Sequence, residues 1–155
     1  MRRLSGVLLA CAMFMVPAVS HHYGDVLAQA APQKTTYNGD MALLAVPVKA
    51  DKTGDYDKVI AKLKEALSKS EAPEAKQQLA GWKVIKNATP QPDGTILYIH
   101  VIGPVVKDAD YSIMNNLYAA EKDPAQQKAL FDMYSGAVGR PLFLIQGPMV
   151  ADLSK

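Results

Sequence analysis

The sequence predicts an α+β domain in which helices cover one face of a four-stranded antiparallel sheet. Three observations lead there. Apolar segments of strand character begin at Met41, Trp82, Thr95 and Leu142. Helical periodicity fills the stretch between the first two and the stretch between the last two. A Pro90-Gln91-Pro92-Asp93-Gly94 turn joins the middle pair as a hairpin. The resulting order is β-α-β-β-α-β, with each helical section divided in two.

Met41 to Val48 is apolar throughout, as a strand buried on both faces would be. Asp55 to Ser70 is the clearest helix, because Tyr56, Val59, Ile60, Leu63, Ala66 and Leu67 recur on one stripe. Thr53 or Asp55 can cap its start, and Asp55 and Asp57 suit the positive end of its dipole. Lys58, Lys62, Glu65 and Lys69 point outward. Pro73 interrupts, and a shorter helix is expected over Glu74–Ala80, with Gly81 suited to the left-handed position that closes it. Trp82–Ala88 and Thr95–Ile102 are the hairpin strands. Asp108 or Asp110 can cap a helix reaching about Ala120. Asp123-Pro124 is an N-cap followed by proline at N1, and Leu130, Phe131 and Tyr134 line the helix it starts, which is expected to stop at Gly136. Gly139-Arg140-Pro141 turns the chain into a last strand from Leu142 to about Ala151. The simplest fold with this order is a ferredoxin-like split βαβ sandwich.

Ahead of this domain, at residues 41–155, lies an export signal over residues 1–30. Arg2-Arg3 supplies the basic start, Leu4 to Val19 the apolar run, and Ala18-Val19-Ser20 or Ala28-Gln29-Ala30 the cleavage site, the latter preferred. The run falls short of the ~20 residues of a membrane span. Residues 31–40 are polar and read as a linker. The expected address is therefore the periplasm or the medium, with no membrane attachment after cleavage.

The chain has 155 residues, enough for one domain, with 17 basic and 15 acidic side chains. Removing Arg2, Arg3 and Asp25 leaves 15 basic and 14 acidic, so the exported part is almost neutral. No basic cluster is interleaved with aromatics, which argues against nucleic acid as partner. Cys11, the single cysteine, lies inside the leader, so the domain has no disulfide, thiol nucleophile or thiolate metal site. No Gly-rich phosphate loop, Gly-x-Ser-x-Gly elbow or His-Glu-x-x-His helix is present. No cofactor and no metal site are expected. His21-His22 could chelate copper only if cleavage follows Ser20.

The hairpin turn sets a register. Residues paired across it sum to about 184, which places Trp82 opposite Ile102, Val84 opposite His100 and Lys86 opposite Tyr98, all on one face. The other face carries Ile85, Asn87, Leu97, Ile99 and Val101, whose apolar character suits packing under helices. Trp82, Lys86, Tyr98 and His100 are then expected on an uncovered face. There they would bind a small apolar or aromatic ligand or form the interface of a homodimer.

Gln77-Gln78-Leu79-Ala80-Gly81-Trp82, followed by a strand, a Pro/Gly turn and an apolar strand, resembles the middle of dimeric α/β-barrel proteins of the antibiotic-biosynthesis-monooxygenase type. The resemblance covers the topology of residues 41–151. It implies two subunits paired sheet to sheet, and a cofactor-independent oxygenase or isomerase with His100 and Tyr98 as polar groups in an apolar pocket. The Asn, Trp and His set of haem-degrading members has no counterpart here, so the resemblance carries no catalytic residue. The chain is also similar to small exported bacterial proteins of no known function.

His100 is the one histidine left after cleavage at Ala30, and could act as acid, base or ligand near neutral pH. Packed in an apolar strand it would instead be a core residue. Tyr111, Met114, Tyr118, Phe131, Met133 and Tyr134 follow helical spacing and are expected mainly in the core. With no paired catalytic groups, the sequence favours a non-catalytic exported domain that dimerises through its sheet. An accessory protein of an envelope complex is the third reading, and it predicts a large exposed apolar patch.

Overall fold

The computed structural model describes residues 33–153. The expected leader, Cys11, His21-His22 and both candidate cleavage sites fall outside them. Chain order runs β1 (Met41–Val48), a 3₁₀ turn (Ala50–Lys52), α1 (Thr53–Lys69), α2 (Ala75–Gly81), β2 (Trp82–Lys86), β3 (Ile96–Ile102), α3 (Ile113–Ala120), α4 (Pro124–Ala137) and β4 (Phe143–Gly147). The sheet order is β2-β3-β1-β4, and every neighbouring pair is antiparallel. This is a mixed α+β fold consistent with a ferredoxin-like sandwich.

Local chemistry explains most boundaries. Asp123 accepts a hydrogen bond from the Ala125 amide and Pro124 opens α4, as the sequence indicates. Ser112, rather than Asp108 or Asp110, caps α3 by accepting from the Asn115 amide. Asp110 is occupied elsewhere: its carboxylate receives the amides of Thr35 and Ser112 and the Asn115 side chain. Neither Thr53 nor Asp55 caps α1, because the 3₁₀ turn feeds directly into it.

Gly81 does not adopt a left-handed conformation, and α2 ends on it. Its requirement is close approach. A Cβ there would lie 3.0 Å from the Pro104 carbonyl oxygen, and the Gly81 carbonyl accepts from the Gly103 amide at 2.9 Å. β4 stops at Gly147 instead of Ala151, since Pro148 has no N–H to continue a ladder.

α1 is the hub of the helical layer. Val59, Leu63, Ala66 and Leu67 pack with Ala75 of α2, Ile113 and Leu117 of α3, and Leu130 of α4. Residues 33–40, ahead of β1, form no helix or strand, yet they are tethered. Tyr37 is buried against Tyr111, whose amide donates to the Thr35 carbonyl.

Two expectations are overturned. The sheet is open, with β2 and β4 as its edges, so it is not a closed dimeric α/β-barrel. The helices also cover the opposite face from the one expected. The predicted hairpin register holds, pairing Trp82 with Ile102, Val84 with His100 and Lys86 with Tyr98. However, the core clusters under the helices contain Val46, Val48, Tyr98, Ala42 and Ile102, with Trp82, Leu44 and Val84 packed against them. Leu43, Ile85, Leu97, Ile99, Val101, Phe143 and Ile145 belong to none of these clusters.

Candidate functional site

The helix-covered face gathers all four residues singled out from the sequence. Trp82 stands on β2 at the end of α2, and His100 two pairs along the ladder on β3. The indole Nε1–H of Trp82 donates to His100 Nδ1 at 3.0 Å. An indole N–H can only donate, so Nδ1 carries no proton and the neutral ring is protonated at Nε2. That N–H donates to the Tyr56 hydroxyl oxygen at 2.7 Å. Tyr56 comes from the first turns of α1 and is fully buried, as is His100.

The second half of the strip starts from Tyr56, whose ring meets Tyr98 edge-on with centroids 4.8 Å apart. The Tyr98 hydroxyl donates to Asp57 Oδ1 at 2.6 Å, and Lys86 Nζ donates to Asp57 Oδ2 at 3.0 Å. The Lys86 ammonium also sits 5.4 Å from the centre of the Tyr98 ring. Consecutive residues of α1 thus tie the helix to β3 at two places, through Tyr56 to His100 and through Asp57 to Tyr98. Among the described residues no buried side-chain polar atom is left without a partner.

Electrostatics follow from burial and pairing. Burial lowers the His100 imidazole from its ordinary range to about 4. A proton on Nδ1 would also face the indole N–H, which strengthens the preference for the neutral ring. Burial raises the Tyr56 phenol far above its usual range. For Asp57, burial pushes upward, but the bonds from Tyr98 and Lys86 together outweigh it and hold the carboxyl below its usual range. A histidine with both nitrogens engaged, no exposed surface and a charge change near pH 4 is poorly placed for proton transfer at neutral pH. The cluster clamps α1 onto the hairpin.

Tyr56 and Asp57 were missed as partners of this strip. The signal was present in the sequence only as an aromatic and an acid at the start of α1, 44 positions before His100. Among the described residues no group of three or more His, Cys, Asp or Glu is gathered as a metal would need. No helix among them is long and apolar enough to cross a membrane.

Two open surfaces adjoin these strands. The uncovered face of the sheet bears Ile85, Phe143 and Ile145, which are 54%, 43% and 59% exposed. Leu43, Leu97, Ile99 and Val101 lie half-buried between them. On the helix side, a groove of about 340 Å³ runs between α1 and β2, lined by Ile60, Leu63, Leu67, Leu79, Trp82 and Val84, with Lys64 among its lining residues. The chain matches no family model, no curated protein and no solved structure.

Proposed function

We propose that the protein is an exported, non-catalytic docking domain whose uncovered sheet receives a second protein. The observation that carries this reading is the exposed row of Ile85, Phe143 and Ile145 on a face that no helix of the described chain covers. Large contiguous apolar surface on a small domain marks an interaction site more often than chance exposure. The helix side supports the same reading. Its polar groups are bonded to one another, and His100 is held neutral inside a filled core. Export rests on the leader read from residues 1–30.

The partner is a second copy or another envelope protein, and native mass spectrometry of protein recovered from the periplasm or medium distinguishes them. A complex that disappears in Ile145→Lys supports docking through the sheet. A bare monomer in both proteins would sink it.

One observation favours a second use of the helix side. The groove between α1 and β2 is lined mainly by apolar side chains, with Lys64 at its edge, and presents Trp82, which suits a small apolar or aromatic molecule. Titrating anilinonaphthalene sulfonate while following Trp82 fluorescence tests it. Saturable quenching that is lost in Leu79→Lys, with circular dichroism confirming the fold, is expected, and linear quenching in both proteins would dismiss the groove.

A further inference from the structure

We propose that β4 is a strand-addition edge, and that its occupant is β4 of a second copy running antiparallel to it. The proposal goes beyond the docking reading, which concerns the open face: it names a partner for the edge of the sheet and the geometry of the pairing. The unpaired outer side of an edge strand is a row of backbone donors and acceptors that another strand can complete, and proteins that stay monomeric usually blunt it. The two edges of this sheet differ in that respect. β2 carries Lys83 and Lys86 within five residues. From Pro141 to Ala151 the chain has no charged side chain at all.

Charge selects the partner. Two β2 edges laid together would bring lysines of both copies into one ladder, where like charges destabilise pairing. Two β4 edges bring none. Within β4 itself, antiparallel pairing about Ile145 sets uncharged side chains opposite one another along the whole strand. Antiparallel pairing of identical strands is also self-complementary about a two-fold axis.

The exposed area fits this partner. Of the large hydrophobic side chains that remain exposed, Leu142, Phe143, Leu144, Ile145, Met149, Val150 and Leu153 all lie at or after β4. Four of them, Leu142, Phe143, Leu144 and Ile145, lie on β4 or at its start, where a pairing strand reaches them. Phe143 and Ile145 project to the open face, and Leu144, 46% exposed, to the helix side. Strand addition therefore covers apolar side chains on both sides of the ladder. Pairing through β4 leaves only the lysine-bearing β2 edges outside, so assembly closes at a dimer with a continuous eight-stranded sheet and does not extend into fibres.

The test is sedimentation equilibrium on the chain as recovered from the exporting cell, with two variants chosen to separate edge from face. A dimer is expected for the native chain. Leu144→Lys, on the edge but off the open face, is expected to weaken it by about tenfold or more, with circular dichroism confirming the fold. Ile85→Lys, on the open face at the far edge, is expected to leave it intact. Dissociation by Ile85→Lys with no effect of Leu144→Lys would overturn strand addition while leaving sheet-face docking in place. A native monomer would overturn it too. Hydrogen exchange needs no variant: amides of Phe143–Gly147 should gain protection as concentration rises, while those of Trp82–Lys86 should not. Protection at β4 that is independent of concentration would mean that the chain's own remaining segment occupies the edge, and would overturn the second copy.

Discussion

The two faces of the sheet invert the usual expectation. The side that carries an imidazole, an indole N–H and two phenols is the buried one, and the side built from Leu43, Ile85, Leu97, Ile99, Val101, Phe143 and Ile145 is uncovered. Hydrophobicity alone would have placed them the other way. Polar atoms are costly to bury only when they lack partners, and α1 brings the partners in the form of Tyr56 and Asp57. Once those bonds are made, the large aromatic bodies of Trp82, Tyr98 and Tyr56 give the covered side more surface to bury than the aliphatic side offers. The aliphatic side is left uncovered by the helices.

The contrast breaks most severely at His100. Replacing it by alanine opens a cavity and leaves the Trp82 N–H and the Tyr56 hydroxyl without their shared partner. A loss of about 4 kcal/mol is expected in urea unfolding. A loss below about 1 kcal/mol would mean that the clamp contributes little.

Acid should act on the same face with a somewhat smaller effect. The His100 imidazole titrates lower in the folded chain, at about 4, than in the unfolded one, at about 6.5. The unfolded state therefore binds the proton first. Stability is full above pH 6.5 and falls as the pH drops toward 4, by at most about 3 kcal/mol over that window. Asp57 adds its own loss only at lower pH, as its carboxyl becomes protonated. Unfolding midpoints measured from pH 7 to pH 4 check this, and the slope between pH 6.5 and pH 5, above the carboxylate range, should vanish in His100→Ala.

Tyr56→Phe isolates one bond. It keeps the ring against Tyr98 but removes the acceptor of the His100 Nε2 proton, and should cost about 2 kcal/mol. Little or no loss would show that water or another acceptor takes its place. At the bottom of the scale, Ile85→Lys on the open face should shift stability by less than about 0.5 kcal/mol. A large loss there would mean that the exposed face is held by contacts within the chain.

Much of this architecture was legible in the sequence. β1 matched the apolar run Met41–Val48, α1 the stripe from Tyr56 to Leu67, and α4 the Asp123-Pro124 signal. The register of the hairpin followed from the Pro90–Gly94 turn alone. Each of these rests on interactions a few residues apart, so local patterning determines it. Gly81 was misread for the complementary reason: a left-handed C′ position is a local inference, whereas its need for space against Gly103 and Pro104 is not.

What the sequence could not decide was which face of a correctly registered hairpin lies under the helices. Alternation sorts side chains into two sets but does not say which set faces in. That choice depends on Tyr56 reaching His100 and Asp57 reaching Tyr98, across 44 and 41 residues. The same is true of the edges. The charge-free run at Pro141–Ala151 and the lysines of β2 are plain in the sequence, but only the order β2-β3-β1-β4 makes both of them edges and leaves one of them open to a partner.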